Sequence, residues 1–452
     1  MTELTAPRIG PNSSNTPYSD NHGKDGLTLA RPPIVLCDPG YYGTLAAVRS
    51  LGRSGVPVIT AGPAILAQGR YSSFSSQHLR CPAFEKTDKW VEWLMRLGRS
   101  GPRRVIYATS DAVSFALASY RDELSAHFDV YQPDLRAIMG ILDKGQLYQH
   151  CREAGVDTPD TWLPQSVREA ARIAREAGGK ILIKPRSQLA VRNYIKGVVT
   201  GDGEGDTQSE YERLMRYGAH DASFSRQYPE VMLPLLQRYH PEAMEMVYSL
   251  SGFRDRSGAH MVMRGARKVL QRPRQLGVGL CFEDAAVPPE IALGAKRLCE
   301  HIGYYGVFEL EYILSEGRAL LIDFNGRFYN QIAFDIARGM NLPAIAYNAA
   351  ADEQDEMTRL ISAATESRAG DGMAFCNRFG LAVSVGAQRA WGTMSPEEAT
   401  QWRQWHKGHK GGVVDAVHDA ADPIPTLVDA AQQLWRTIRH PRAFTRQIGF
   451  AK

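Results

Sequence analysis

The segment from Gly306 to Asn330 carries the residues with the most evident chemistry, because acidic, amide and basic side chains alternate there with apolar ones. Two strand-like runs, 306–314 and 318–324, are separated by the turn sequence Ser-Glu-Gly, which predicts a β-hairpin. Strand alternation puts the polar side chains on one face and the apolar ones on the other. The polar set comprises Glu309, Glu311, Asp323, Asn325 and Arg327.

Several carboxylates on one face would repel each other, and burial would add to that cost. A divalent cation removes the repulsion, and carboxylate and amide oxygens suit Mg²⁺, which combines such ligands with phosphate oxygens. The spacing therefore predicts a magnesium site. The alternative is a solvated hairpin face on which Arg327 pairs with the acids.

Cationic side chains in other elements are typical of a polyphosphate site. Lys144 stands at the start of a predicted helix, and Lys184 ends an apolar strand just before a proline. Five more basic residues fall within eleven positions, namely Arg264, Arg267, Lys268, Arg272 and Arg274. Together with a metal site, these cations are what a polyphosphate requires. For the cluster taken alone, a basic surface face is the alternative.

These motifs, in this order, resemble the ATP-grasp superfamily over residues 31–350. The matching segments are Asp143-Lys144, Ile183-Lys184-Pro185, Leu236-Gln237-Arg238-Tyr239, Gly265–Lys268, Glu309-Leu-Glu311 and Asp323-Phe-Asn325-Gly-Arg327. The runs RGARKVLQRPRQLGVG, GYYGVFELEYIL and LIDFNGRF most resemble the carboxylate–amine ligases grouped with D-aspartate ligase.

The strand–helix alternation after residue 31 predicts a parallel sheet, so the fold class is α/β. The resemblance makes 31–140 a small doubly wound pre-ATP-grasp domain. A two-subdomain ATP-grasp fold of α+β type would follow at 141–350, divided into 141–236 and 237–350. Residues 351–452 form a C-terminal region, and residues 1–30 are predicted to be a flexible tail. The polar stretch 201–210 is predicted to be a loop or hairpin tip.

The resemblance also implies roles for individual residues. Lys144 and Lys184 would contact the nucleotide phosphates. The strand of Gln237, Arg238 and Tyr239 would frame adenine, mainly through backbone groups, and Glu245 would hold the ribose hydroxyls. Glu311, Asp323 and Asn325 match the Mg²⁺ ligands, and Arg327, Arg267 and Lys268 would stabilise the transferred phosphoryl group.

The implied cofactors are ATP and Mg²⁺, or Mn²⁺ in its place, and the implied activity is amide formation through an acyl phosphate. The substrates would be a small carboxylate and an amine of amino-acid or peptide-like character. One alternative in the same fold passes the acyl phosphate to another acceptor, or carboxylates the substrate. An alternative of another class is a nucleotide-binding module without catalysis.

Three departures from the family pattern motivate that last alternative. The usual final motif is Glu-x-Asn-Pro-Arg, whereas this chain has Asp323 in the first position and Gly326 before the arginine. Aspartate is one methylene shorter than glutamate, and glycine loosens the turn that presents Arg327. The segment after Lys184 also lacks the family's glycine-rich lid.

Composition limits the class of protein. The chain has 452 residues, 44% hydrophobic and 23% charged, which is close to globular averages. No apolar run approaches the roughly 20 residues of a membrane span. A net charge of +4 is too small to imply a nucleic-acid partner. Six scattered cysteines without a metal-binding spacing predict reduced thiols and a cytoplasmic location.

The segment 426–452 combines an apolar stripe with arginines and has no acid after Asp429. This pattern is typical of a helix that lies on an anionic membrane, or of one that docks on its own domain with its arginines in water. The docked arrangement is the favoured interpretation. Homodimers are common among proteins that resemble this one, so a homodimer is a further expectation.

Overall fold

The computed structural model describes residues 31–192, 195–201, 204–273, 275–367, 372–390, 392, 394–409 and 411–439. The predicted flexible tail at 1–30 lies outside these residues, and so does the end of the basic segment, 440–452.

A five-stranded parallel sheet in the order β3-β2-β1-β4-β5 forms the first layer. Its strands are β1 (Ile34–Cys37), β2 (Val58–Ala61), β3 (Gln77–Leu79), β4 (Arg104–Tyr107) and β5 (Phe128–Val130). The helices are α1 (Tyr42–Arg53), α2 (Thr87–Arg99), α3 (Asp111–Ser119), α4 (Arg121–Ser125) and α5 (Leu135–Leu142). The residues of β1, β2 and β4 are buried throughout, as expected of parallel strands covered on both faces. The sheet confirms the predicted α/β class.

A second, antiparallel sheet has the order β6-β9-β7-β8. Its elements are α6 (Lys144–Glu153), β6 (Thr161–Trp162), α7 (Val167–Ala177), β7 (Ile181–Lys184), β8 (Val198–Val199), α8 (Glu204–Met215), α9 (Ala222–Gln227) and β9 (Leu235–Arg238). The prediction of a loop at 201–210 was wrong, because α8 occupies most of that stretch. Tyr211 and Leu214 pack this helix into the core against β7 and β9, which outweighs the polar composition of its first turn.

The third sheet has the order β14-β13-β10-β11-β12-β15-β16. Its strands are β10 (Val247–Arg254), β11 (Met261–Arg272), β12 (Val278–Ala285), β13 (Gly306–Ser315), β14 (Arg318–Asn325), β15 (Ala374–Cys376) and β16 (Val413–Asp415). Its helices are α10 (Pro289–Ile302), α11 (Ile332–Ala337), α12 (Leu342–Ala350), α13 (Gln354–Glu366), α14 (Arg378–Ala390), α15 (Pro396–Trp405) and α16 (Ile424–Arg439). Strands from the C-terminal region thus extend the sheet that contains the predicted hairpin.

The predicted hairpin is formed by β13 and β14. Glu316 and Gly317 connect the strands, and both have positive φ, at 51° and 76°. Two residues of positive φ are what a type I′ hairpin turn needs, which accounts for the glycine. On the apolar face Phe308, Leu310 and Phe324 are buried in one cluster with side chains of α5, α6 and α10. This packing fixes the orientation of the opposite, polar face.

The C-terminal helix α16 is attached through its polar side. Asp429 accepts hydrogen bonds from Gln68 at 2.6 Å and from Tyr42 at 3.2 Å, and Gln432 donates to the Leu66 carbonyl. The helix thus docks on the protein, as expected, but through its polar side, while its apolar side chains face outward. These exposed residues are Ile424, Leu427, Leu434, Trp435 and Ile438. Among the described residues no helix is long and apolar enough to cross a membrane.

Candidate active site

The polar face of the hairpin brings four ligand-type side chains together. Glu309 lies directly opposite Asn325 in the strand register, and Glu311 lies opposite Asp323. Such cross-strand pairs have neighbouring Cβ atoms on the same face of the sheet. The alternation that the sequence suggests is therefore present, and Arg327 follows within two residues of Asn325.

Glu309 is the most deeply buried acid of this face, at 2% exposure. Its carboxylate accepts hydrogen bonds from Ser249 at 2.6 Å, from Asn325 at 2.6 Å and from Gln331 at 2.9 Å. Burial and the neighbouring charge of Glu311 raise the pKa of Glu309 to about 7. The group therefore sits at the edge of ionisation, which is the behaviour of a carboxylate crowded by another one.

Lysines neutralise the other two acids. Lys144 and Lys196 both pair with Asp323, and Lys268 donates to Glu311 at 2.9 Å. Burial alone would raise the pKa of Asp323, but the two ammonium groups outweigh it and hold that pKa well below its usual range. Lys268 and Lys196 likewise hold the pKa of Glu311 below its ordinary value against the effect of burial. Carboxylates and lysines thus interleave in one site.

The start of α6 positions Lys144. Asp143 caps this helix by accepting from the Gly145 amide at 2.9 Å, and it also pairs with the buried Arg186. The amide of Lys144 donates to the carbonyl of Arg186 at 2.9 Å. These bonds join the first turn of α6 to the segment that follows β7, so the two predicted phosphate-binding lysines are carried by connected elements.

Lys184 ends β7 and is 6% exposed. Its ammonium group donates to the Tyr148 hydroxyl at 2.8 Å and to the Ile322 carbonyl at 3.5 Å. The pairing of β13 with β14 shifts by one residue just beyond Glu311, and this bulge leaves Ile322 without a partner in the register. Burial, with the nearby charge of Lys144, lowers the pKa of Lys184 to about 7.

Arg327 connects the hairpin to the N-terminal parallel sheet. Its guanidinium donates to Asp111, in the first turn of α3, at 2.6 Å and to the Asn325 side-chain oxygen at 2.9 Å. Burial would lower the pKa of Arg327, but Asp111 holds it above its usual range, so the group stays charged. Arg327 is therefore a fixed cation beside the proposed ligand Asn325.

The two basic residues predicted on β11 point to opposite faces. Lys268 is 4% exposed and enters the acidic cluster, whereas Arg267 pairs with Glu283 at 2.6 Å on the other side of the sheet. Arg264 points toward the end of α13, where it donates to the carbonyls of Ala364 and Ser367. The structure thus brings only one of these three residues to the cluster.

The predicted nucleotide-framing residues lie on β9 and just beyond it. Gln237 is buried and donates to Thr161 at 2.9 Å, and Arg238 pairs with Asp160 at 2.9 Å. The amide of Tyr239 donates to the Lys180 carbonyl, so this amide is engaged within the protein. Glu245 is exposed and lies before β10, two residues from Val247, which pairs with Lys268.

Sequence reasoning missed several members of the cluster. Lys196 lies in a short connection without periodicity, where the one signal is the following Gly197. A side chain at Gly197 would stand 2.9 Å from the Ile183 carbonyl, so the chain passes close to β7 there. Tyr148 lies one turn after the start of α6, and Asp111 is the first residue of α3. Both lie far in the sequence from the residues that they contact, so the sequence did not indicate these contacts.

Comparison with known proteins gives structural likeness only. No family model matches the sequence, and no curated protein matches it either. Among solved structures, the biotin carboxylase domain of the Hydrogenobacter thermophilus 2-oxoglutarate carboxylase, in complex with MgADP, superposes with a TM-score of 0.55 at 17% identity. That alignment covers 70% of this chain and 69% of the other.

Two further solved structures are similar. The L-amino acid ligase of Bacillus licheniformis has a TM-score of 0.55 at 11% identity, over 72% of this chain and 75% of its own. The N5-carboxyaminoimidazole synthetase of Staphylococcus aureus has a TM-score of 0.52 at 12% identity, over 71% and 78%. All three are ATP-grasp enzymes. This chain therefore has the ATP-grasp fold, as its motifs predict.

Proposed function

We propose that this protein is an ATP-dependent ligase that activates a carboxylate as an acyl phosphate and transfers the acyl group to an amine. The observation that carries the proposal is the interleaving of three lysines with Glu311 and Asp323 in one site. When Mg·ATP binds, the lysines would pair with its phosphates and the carboxylates would bind its metal ion. Each charged side chain would thus exchange one partner of opposite charge for another.

The donor set fits Mg²⁺, or Mn²⁺ in its place. Glu311, Asp323 and Asn325 would hold the ion, and the buried Glu309 lies beside them. Burial and the neighbouring charge of Glu311 raise the pKa of Glu309 to about 7, and a divalent cation would offset both effects, which supports this fit. When bound, the ion would neutralise negative charge that develops on the phosphate oxygens.

The side chains of this chain would do the positioning. Lys144, Lys184 and Lys196 would hold the nucleotide phosphates, while Lys268 and Arg327 would face the transferred phosphoryl group. Tyr148 orients the ammonium group of Lys184, and Asp111 orients the guanidinium of Arg327. Fixed charges of this kind stabilise a transition state without reorganising during the reaction. Arg267 is left out of the proposed set because it pairs with Glu283 on the other face.

In the first proposed step, a carboxylate oxygen attacks the γ-phosphorus of ATP, and ADP leaves. In the second step, an amine attacks the acyl carbon, and phosphate leaves. Both substrates would be small molecules of amino-acid or peptide-like character. An acceptor other than an amine, or carboxylation, is the second candidate, because two of the similar structures are a biotin carboxylase domain and a carboxyaminoimidazole synthetase.

Gly326, one of the three departures that suggested a non-catalytic module, has a packing explanation. A Cβ atom at this position would stand 2.3 Å from Ile141 and 2.9 Å from Tyr304. A larger residue, proline included, would have to displace the end of the Ile141 side chain and would press on the buried Tyr304 ring. Local packing therefore favours glycine here, which accounts for this departure without a loss of catalysis.

The proposal is tested by phosphate release from Mg·ATP with pooled carboxylates and amines. Release that requires both pools supports the ligase, and release with a carboxylate or bicarbonate alone supports the second candidate. Asp323→Asn removes a fixed carboxylate, and Lys184→Met removes the amine that would bind phosphate in its protonated form, so each should lower the rate at least about 100-fold. The exposed Lys296 provides a matched control, and Lys296→Met should retain the rate. ATP binding without release from any pool would contradict the proposal.

We further propose that α16 binds to an anionic membrane surface. Leu427, Leu434 and Ile438 are 70%, 61% and 68% exposed, although a docked helix normally buries such residues. The sequence from Arg436 to Lys452 contains five basic residues and no acid, which complements anionic lipid headgroups. Sedimentation with vesicles of anionic or neutral lipid tests this. Binding to anionic vesicles that Leu434→Glu abolishes supports it, whereas a dimer without vesicle binding would assign the face to a second copy.

All six cysteines are free thiols in the structure, and all are buried. This state supports the proposal of a cytoplasmic location, because reducing conditions keep thiols unlinked.

A further inference from the structure

Away from the proposed active site, three metal-ligating side chains converge on the surface between α6 and α10. His150 and Glu153 lie three residues apart on α6, and His301 lies in the last turn of α10. The His301 Nε2 atom is 3.1 Å from His150 Nδ1 and 2.9 Å from Glu153 Oε2. The third side of this triangle, from His150 Nδ1 to Glu153 Oε2, measures 3.9 Å.

This triangle has the dimensions of a zinc site. A tetrahedral ion with bonds of about 2.0–2.1 Å to nitrogen and oxygen holds its ligands about 3.3–3.4 Å apart. The three observed separations, from 2.9 to 3.9 Å, bracket that value. The donor set of two imidazoles and one carboxylate is also among those that Zn²⁺ takes while keeping a fourth position open.

At most one proton of His301 Nε2 is available for its two contacts in the triangle. The atom faces both a carboxylate oxygen and the other imidazole nitrogen. If His301 Nε2 carries the proton, that single proton must be shared between Glu153 and His150, as a weaker three-centre bond. If it accepts from His150 instead, its lone pair faces the carboxylate. A cation at the centre of the triangle would be attractive to all three.

Neighbouring contacts hold the ligands in place. The second oxygen of Glu153 accepts from Gln149 at 2.5 Å, which turns Oε2 toward the histidines. Arg297 on α10 donates to the carbonyls of Ala154 and Gly155 at 3.0 and 2.9 Å, so the two helices are already joined beside the triangle. Bonds that orient a ligand in this way are typical of metal sites.

We propose that His150, Glu153 and His301 bind Zn²⁺ or a similar first-row divalent cation and thereby fasten α6 to α10. The site is separate from the proposed magnesium site, which offers only oxygen ligands. Because α6 begins with Lys144, the bound ion would restrain the helix that carries a proposed phosphate-binding lysine.

The test is equilibrium Zn²⁺ binding to the full chain without a histidine tag, in excess Mg²⁺ to occupy the oxygen site. Loss of a group that merely supports a ligand costs about 10- to 100-fold in metal affinity, so loss of a ligand costs at least about tenfold. We expect one high-affinity Zn²⁺ per chain, weakened by at least that factor in His301→Ala and in Glu153→Gln. The exposed His418 provides the control, and His418→Ala should bind like the unchanged protein.

A second readout does not depend on affinity. Zn²⁺ should raise the thermal unfolding temperature of the unchanged protein and of His418→Ala, but not of Glu153→Gln, because only a ligand bound to the folded state stabilises it. Absence of Zn²⁺ binding would overturn the proposal. Equal binding by all the variants would overturn it as well, since the ion would then lie elsewhere.

Discussion

Lys268 reaches across β10 to donate to Glu311 at 2.9 Å, although the two residues lie on strands that do not pair with each other. Their side chains are only 4% and 12% exposed. This ion pair ties β11 to the hairpin and places a cation next to a proposed metal ligand. Together with the pairing of Asp323 with Lys144 and Lys196, it leaves both of these carboxylates paired before any nucleotide binds.

The free energy of unfolding should depend strongly on this pair. Lys268→Met leaves the Glu311 carboxylate buried without its nearest partner, which costs about 3 kcal/mol, the lower end for a broken buried pair. The double variant Lys268→Met with Glu311→Gln should recover part of that loss. Urea unfolding of the two single variants and the double variant measures the coupling. Additive losses would show that the two side chains do not interact.

The stability of the protein should rise with pH above neutrality because of Lys184. Its pKa is about 7 in the folded protein and 10.5 as the ordinary value. Between these values the unfolded chain holds a proton that the folded protein lacks, so unfolding becomes harder as pH rises. One such group contributes a slope of about 1.4 kcal/mol per pH unit. Denaturant unfolding from pH 7.5 to 9.5 should show a smaller slope for Lys184→Met, and identical slopes would refute the assignment.

Affinity for Mg·ATP should fall over the same pH range. Phosphate binding needs Lys184 protonated, whereas above pH 7 the buried amine of the free protein is mostly neutral. The dissociation constant should then rise by up to about tenfold per pH unit until the amine of the complex also titrates. Calorimetric titration at several pH values measures this, and Lys184→Met should bind weakly with little pH dependence. A pH-independent affinity in the unchanged protein would contradict the role of Lys184.

Two glycines with different surroundings test the packing account of the Arg327 turn. Gly326→Ala would force a Cβ atom to within 2.3 Å of Ile141, and overpacking of this kind costs about 1–3 kcal/mol. Gly294→Ala on α10 would meet only Val156 at 3.6 Å, so it should stabilise the helix by up to about 1 kcal/mol. Thermal unfolding of both variants decides this. Equal effects would mean that Gly326 is not required by packing.

The hairpin was predictable from the sequence because its information is local. Strand alternation puts Glu309 and Glu311 on one face of their strand, and Asp323 and Asn325 on one face of theirs. A two-residue turn alone would pair Glu311 with Ile322, so the bulge just beyond Glu311, which the sequence did not predict, is what brings Asp323 opposite Glu311. The fold class followed from the alternation of strands and helices for the same reason. The motifs on separate elements could be ordered only through their family resemblance.

Contacts between elements that are distant in the sequence were harder to predict. Adjacent residues on a strand face opposite sides, so Arg267 and Lys268 could not both enter the site, yet the sequence does not say which one does. Lys196 lies in a connection that shows no hydrophobic periodicity. Its approach to Asp323 depends on how β8 pairs with β7. The outward orientation of the apolar face of α16 was also unpredictable. The composition of a helix does not reveal that its polar side chains, such as Asp429, will make the contacts with the rest of the protein.

The most direct test of the central claim follows oxygen atoms from the carboxylate substrate. Amino acids and other carboxylates labelled with ¹⁸O in the carboxyl group are incubated with the protein, Mg·ATP and amines, and the mass of the released phosphate is measured. Activation through an acyl phosphate predicts phosphate that carries one ¹⁸O atom, absent in the Asp323→Asn variant. Released phosphate without the label, or no release from any pool, would contradict the account.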